Sequence, residues 1–432
     1  MDSPQITLTP SRSALLSQHA TKMTLLVQVK APESTAPKTL RSPVALSIVL
    51  DRSGSMSGAP LEEAKRCARY VKNRLRDDDL VSLVSYNHKV SLEAPLQPPH
   101  EQRIFELALS HLDAGGRTDL FGGWDLGRDQ LSKVDQSFGL KRVLILSDGQ
   151  MNSGVQSPAE IEARVRVAAE QGVTTSTYGF GEDFDELIMR LISEAGLGNF
   201  RYGERVEDLF EAFEEELDLI GNLYATQLLM RLEPAEGVQV RCLNHLQERD
   251  GALLLPDLAY GAEVWTALEL SVSPEAAQSG RPLINVRLEH AELSEPLSAS
   301  LEALEAVSAQ VFEQIAEAEV VRAYTLELEL AQLKDEIAHA LKRHRWELAI
   351  ELCNKLLASA RGNAQLLAEA EALHELILNR RAELASKEAL SSSSRARKSM
   401  KLSRQSYLDP QSEVPSYMRR KTTQGRNMDG QS

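Results

Sequence analysis

Residues Val49–Gly58, VLDRSGSMSG, carry the chain from the end of an apolar run, VALSIVL at residues 44–50, into a turn of small residues. The turn holds one aspartate, Asp51, and the hydroxyls of Ser53, Ser55 and Ser57. A turn of this composition at a strand end suits a phosphate cradle, a nucleophilic aspartate or a cation held by oxygens. Each reading makes a different protein.

Outward from this turn, apolar segments alternate with amphipathic ones. VALSIVL, LVSLVSY and RVLILSD read as strands buried on both faces, and VTTSTYGFG continues the series. Directly after the turn, APLEEAKRCARYVKNRL places Leu61, Ala64, Cys67, Ala68 and Val71 at helical spacing, with Pro60 in the first turn. The order predicts a doubly wound α/β domain with a mostly parallel sheet over residues 44–221. HKVSLEAPL, with its proline and alternating polarity, predicts an antiparallel edge strand. The acidic run FEAFEEELD reads as the polar face of the last helix of this domain.

After Gly221 come short alternating segments separated by turn residues, which predict a small β-sandwich over residues 222–298. TKMTLLVQVK, within residues 1–43, reads as a strand of the same sandwich, so that the α/β domain is inserted into it. Residues 299–390 are rich in Ala, Leu and Glu, with Leu330 and Ile337 on one apolar stripe, Trp346, Ile350 and Cys353 on a second, and Ala370 and Leu373 on a third. They predict a helical hairpin or bundle. Residues 391–432 have few core-forming side chains, and basic residues outnumber acidic ones three to one, which predicts a disordered basic tail.

The 432 residues are 42% hydrophobic and carry a net charge of -15. That charge disfavours nucleic acid and anionic membranes as partners. The first residues lack the pattern of a secretory signal and no run has the length of a bilayer span, so the expected location is cytoplasmic. Cys67, Cys242 and Cys353 are too scattered for a disulfide framework or a zinc cluster.

A Walker-type phosphate loop needs a lysine after its glycines, and Ser53–Ala59 has none. Haloacid-dehalogenase-like phosphatases need a second aspartate where this chain has Ser53. Two further loops fit the cation reading: GGRTDL, with Thr118 and Asp119 at a helix start, and LSDGQMN, with Asp148 at a strand end. Asp51-x-Ser53-x-Ser55, Thr118 and Asp148, in this order, resemble the metal-ion-dependent adhesion site of von Willebrand factor A domains. The resemblance implies that Ser53 and Ser55 bind a cation directly and that Asp51, Thr118 and Asp148 bind directly or through water. It also implies Mg²⁺ or Mn²⁺ as the ion, and an Asp or Glu of a protein partner as its last ligand. The coordination chemistry agrees, since Mg²⁺ takes six oxygens and is held by one or two carboxylates.

Asp119 reads as a helix cap beside Thr118, and Asn152 as a residue shaping the Asp148 loop. Gly122 and Gly123 depart from the family's usual helix start, and Trp124 reads as half-buried. The function expected is non-catalytic, Mg²⁺-dependent protein binding. Two alternatives stand beside it: an adaptor subunit for a separate AAA+ ATPase of the chelatase or MoxR kind, and a scaffold whose tail is phosphorylated by a Ser/Thr kinase at Thr422 and Thr423 and read by a phosphopeptide-binding protein.

Overall fold

A computed structural model describes residues 4–33, 42–135, 137–181, 184–203, 206–290, 296–397 and 400–402. Its α/β part is a sheet of six strands among the described residues, in the order Val90–Gln97, Leu80–Tyr86, Val44–Asp51, Leu140–Ser147, Val173–Phe180, Leu197–Gly203. Neighbours are parallel throughout, except that Val90–Gln97 runs antiparallel to Leu80–Tyr86, as its sequence predicts. Every residue of Val44–Asp51 and of Val173–Phe180 is buried. Helices cover both faces: Val44, Leu46, Ile48 and Leu50 pack with Ala64 and Phe213, while Ala45 and Val49 pack with Trp124 and Ile188. Each valine, leucine or isoleucine buried this fully contributes about 1.5–3 kcal/mol.

The helix Ala59–Arg74 buries Leu61, Ala64, Cys67, Ala68 and Val71, the stripe its spacing predicts. The helix Leu120–Leu131 is regular despite its three glycines, two of which explain its seat on the sheet. A Cβ on Gly123 would lie 2.5 Å from the Tyr86 ring, so only glycine allows this close approach. Trp124 corrects the half-buried expectation: it is 1% exposed, and its indole nitrogen donates to Thr175 Oγ1 at 3.0 Å.

The β-sandwich has one sheet of Gln5–Pro10, Thr21–Lys30, Ala262–Val272 and Val238–Cys242, and another built around Leu229–Pro234, Ile284–Glu289 and Leu297–Leu301. Thr21–Lys30 pairs antiparallel with Ala262–Val272 along its whole length, from Lys30 opposite Glu263 to Thr21 opposite Val272. The α/β domain follows Thr21–Lys30 and precedes Leu229–Pro234 in sequence, so it is inserted into the chain of the sandwich.

The helices Glu319–Lys342, Trp346–Ala360, Ala364–Leu378 and Ala382–Arg397 pack together beside both other parts. Arg190 meets Asp335 at 2.7 Å and Lys342 meets Glu186 at 3.0 Å on the α/β side, while Tyr324 packs edge-on to Trp265 of the sandwich. The stripe expected on the second of these helices is rotated: Ala349, Leu352, Cys353, Leu356 and Ala360 are buried, with Trp346 and Ile350 only partly so.

The disordered tail expected from residue 391 starts too early. The last helix continues to Arg397 with Ser391, Ser392, Ser393 and Ser394 buried, and Met400–Leu402 pairs with Ala262–Val264. The small hydroxyl side chains admit close helix packing, and Ser392 Oγ accepts from Lys334 Nζ at 2.6 Å and donates to Glu369 at 3.1 Å. The expectation for the remaining tail falls on residues 403–432, outside the described residues.

The acidic run of the Val206–Gly221 helix is also more than a polar face. Glu216 is 2% exposed and meets the guanidinium of Arg142 at 2.5 Å, and Arg142 reaches Asp257 of the sandwich at 2.5 Å. Ser176 donates to Glu216 at 2.8 Å, and Asn199 donates to its other oxygen. Burial opposes the charged form of Arg142, but Glu216 and Asp257 outweigh it and raise its pKa. Removing one partner of such a buried set leaves an uncompensated charge. Arg142→Ala should destabilise the protein by about 3–5 kcal/mol, read as a lower urea midpoint, with a smaller loss for the exposed-pair control Arg66→Ala.

Candidate metal centre

The five residues singled out in the sequence come from three loops that meet at the carboxyl ends of the neighbouring strands Val44–Asp51 and Leu140–Ser147. Open parallel sheets place ligand sites at this end, because the loops there are free to carry function. Asp51 is fully buried, Ser53 and Thr118 nearly so, and Ser55 is exposed. The backbone nitrogen of Ser53 donates to Asp51 Oδ1 at 2.8 Å, and Ser147 Oγ donates to Asp51 Oδ2 at 2.6 Å. Ser53 Oγ and Ser55 Oγ are 3.1 Å apart, and Ser55 Oγ donates to Asp148 Oδ1 at 2.8 Å.

Thr118 enters from the second loop. Its backbone nitrogen donates to Asn152 Oδ1 at 2.8 Å, and its carbonyl accepts from the backbone of Asn152 and Ser153, each at 3.2 Å. Asn152 thus clamps the second loop to the third, a larger role than shaping its own loop. Asp119 caps the following helix, accepting from Gly122 N at 3.0 Å, as a helix-start residue should. Ser53, Ser55, Thr118, Gly149, Gln150 and Asn152 line one open cavity of about 310 Å³.

Two observations test whether a cation fits here. A Cβ on Gly149 would lie 3.1 Å from Ser55 Oγ, 3.3 Å from Ser53 Oγ and 3.5 Å from Asp51 Oδ2, so three oxygens converge on a space that a side chain there would crowd. Secondly, Asp51 has hydrogen-bond donors but no basic side chain paired with it among the described residues. Burial pushes its carboxyl above the usual value, against the lowering pull of Ser147 and Ser53. Burial and the nearby Asp51 charge likewise raise the Tyr86 phenol well above its usual range, which keeps it neutral. A hard, oxygen-seeking cation suits this donor set.

Sequence reasoning missed Ser147, Gly149 and the clamp made by Asn152. The one signal for Ser147 was a hydroxyl ending the apolar run VLIL, next to Asp148.

The profile of the von Willebrand factor type A domain matches residues 46–215, which spans the sheet and all three loops. The chain contains a von Willebrand factor type A domain. Two solved structures align with nearly the whole chain. The von Willebrand factor type A protein from Catenulispora acidiphila has a TM-score of 0.71 at 16% identity, covering 91% of this chain and 97% of that one. The ArnB paralog VWA2 from Sulfolobus acidocaldarius has a TM-score of 0.64 at 15% identity, covering 92% and 99%. At such identities the likeness is one of fold, and it extends beyond the von Willebrand domain to the sandwich and helices. By sequence, the uncharacterized protein YfbK of Escherichia coli (strain K12) is 29% identical over 174 residues, 40% of this chain and 30% of that protein. The chain thus spans less than a third of that relative's length.

The convergence at Gly149 is directly testable. If the site takes a divalent cation, Gly149→Ala should weaken that binding at least about tenfold, measured by isothermal titration calorimetry with Mg²⁺ as the probe, with the circular dichroism of the metal-free protein unchanged. An equal loss of folded signal would assign Gly149 to the fold instead.

Proposed function

We propose that this protein is a non-catalytic, Mg²⁺-dependent protein-binding module, in which a cation held by Asp51, Ser53, Ser55, Thr118 and Asp148 accepts an Asp or Glu carboxylate from a partner. The observation that carries the reading is the set of oxygens converging beside Gly149 in a cavity open to solvent. Mg²⁺ bound by two carboxylates and hydroxyls keeps exchangeable positions, and a carboxylate is a good replacement for a water there. The same donors accept Mn²⁺. The Ser53 and Ser55 hydroxyls bond to each other and to Asp148, with no imidazole or amine bonded to them among the described residues, which supports capture rather than nucleophilic chemistry.

The resemblance to von Willebrand factor A domains supports the same reading. A cytoplasmic location belongs to the proposal; among the described residues no helix is long and apolar enough to cross a membrane. The adaptor role toward an AAA+ ATPase rests on the family resemblance. Regulation by a kinase rests on Thr422 and Thr423, which lie outside the described residues.

Mg²⁺ at a hundredfold excess over its dissociation constant should stabilise the native chain by about 2.7 kcal/mol, and Asp51→Ala should remove that stabilisation. The same substitution, or EDTA, should abolish capture of partners by the immobilised protein. Recovery of one unchanged set of proteins with and without metal would overturn the proposal.

A further inference from the structure

One lip of the metal cavity is basic, in a protein whose net charge is -15. It is made by two loops that are locked together. Asn87 Nδ2 donates to the Gly115 carbonyl at 2.6 Å, the Asp119 nitrogen donates to the Asn87 carbonyl at 2.8 Å, and the Lys89 nitrogen donates to Asn87 Oδ1 at 2.8 Å. Gly116 lines the cavity with φ +86°, and a Cβ there would lie 2.2 Å from His88 Nδ1, so the imidazole rests against the rim itself. Arg117 stands between Gly116 and Thr118, exposed, with no ion pair among the described residues. Lys89 and His88 are exposed beside it.

Two other charged residues of these loops are engaged. Asp119 is occupied by its helix cap, and the Arg52 guanidinium is turned to Ser85 Oγ at 3.0 Å. Asp113 is exposed, four positions before Arg117 on the same loop. The His88 ring thus lies against the cavity rim, Arg117 is exposed between the rim residues Gly116 and Thr118, and Lys89 is exposed next to His88 in sequence.

We propose that His88, Lys89 and Arg117 read a second acidic group, so that the preferred partner is an acidic segment carrying another carboxylate two residues from the one that binds the metal. This rests on the carboxylate-capture reading above. In an extended peptide, side chains two residues apart lie on one face about 7 Å apart. Arg117 is the immediate neighbour of Thr118, so a strand seated on the metal brings its next same-face carboxylate to the lip. An arginine fork meets a carboxylate with two parallel hydrogen bonds, and a lysine adds a point charge.

Three synthetic peptides test it by calorimetry or NMR titration of the Mg²⁺-loaded full chain: one with Asp-Gly-Glu between Gly-Ser flanks, one with Asp-Gly-Gln, and one with the Glu moved eight residues away. The native chain should bind the Asp-Gly-Glu peptide about tenfold tighter than the other two. Lys89→Ala combined with Arg117→Ala should bring the three within about twofold, with the Asp-Gly-Gln affinity and the Mg²⁺-induced thermal shift unchanged. A native chain without preference, or a preference that survives the double substitution, overturns the proposal. Loss of the Mg²⁺ shift in the variant assigns these residues to the metal centre and also overturns it. If no peptide binds in a metal-dependent way, the carboxylate-capture reading itself fails.

Discussion

A carboxylate buried without a basic partner is the constraint on which the site depends. Desolvating an ionised aspartate is costly, and the fold answers at Asp51 with donors instead of a counter-ion: the Ser53 nitrogen and the Ser147 hydroxyl. Hydrogen bonds to a charged group are worth about 1.5–3 kcal/mol each, so two of them hold the side chain in place and still leave its charge unneutralised. The surrounding loops inherit their positions from this need. Gly149 gives the oxygens room, Asn152 ties the second loop to the third, and Asn87 ties the second loop to the strand beside Asp51.

At the opposite end of the sheet the same problem has the opposite solution. Arg142 is as buried as Asp51, yet it is matched by Glu216 and Asp257, from the closing helix and from the sandwich. That end pairs its buried charge with opposite ones and joins the inserted domain to its host. At the site end Asp51 has no such counter-ion among the described residues, and that is the difference between the two ends.

Much of this was legible in the sequence because it depends on local pattern. Strands buried on both faces show as unbroken apolar runs, a helix after the first loop shows in the spacing from Leu61 to Val71, and the oxygen donors stand at strand ends. What was illegible depends on which distant residues become neighbours. Gly149 is an ordinary turn glycine until Ser53, Ser55 and Asp51 surround it. Glu216 stands in a run of like residues, and Arg142, Ser176 and Asn199, elsewhere in the sequence, distinguish it. Ser391–Ser394 have the composition of a tail, but small hydroxyl side chains also suit a helix packed tightly against another, and composition alone does not separate the two.

The insertion also fixes an order of events during synthesis. The strand Thr21–Lys30 leaves the ribosome early, but its partner arrives much later: Gln28 bonds to Glu263, 235 residues further on. At 5–20 residues per second the wait is roughly 10–50 s. Throughout it an apolar strand, MTLLVQV, has an open edge, the kind of segment that invites wrong pairing or a chaperone. The inserted sheet already holds all its own strands by then, so it is free to fold first and bring the two halves of the sandwich within reach of each other.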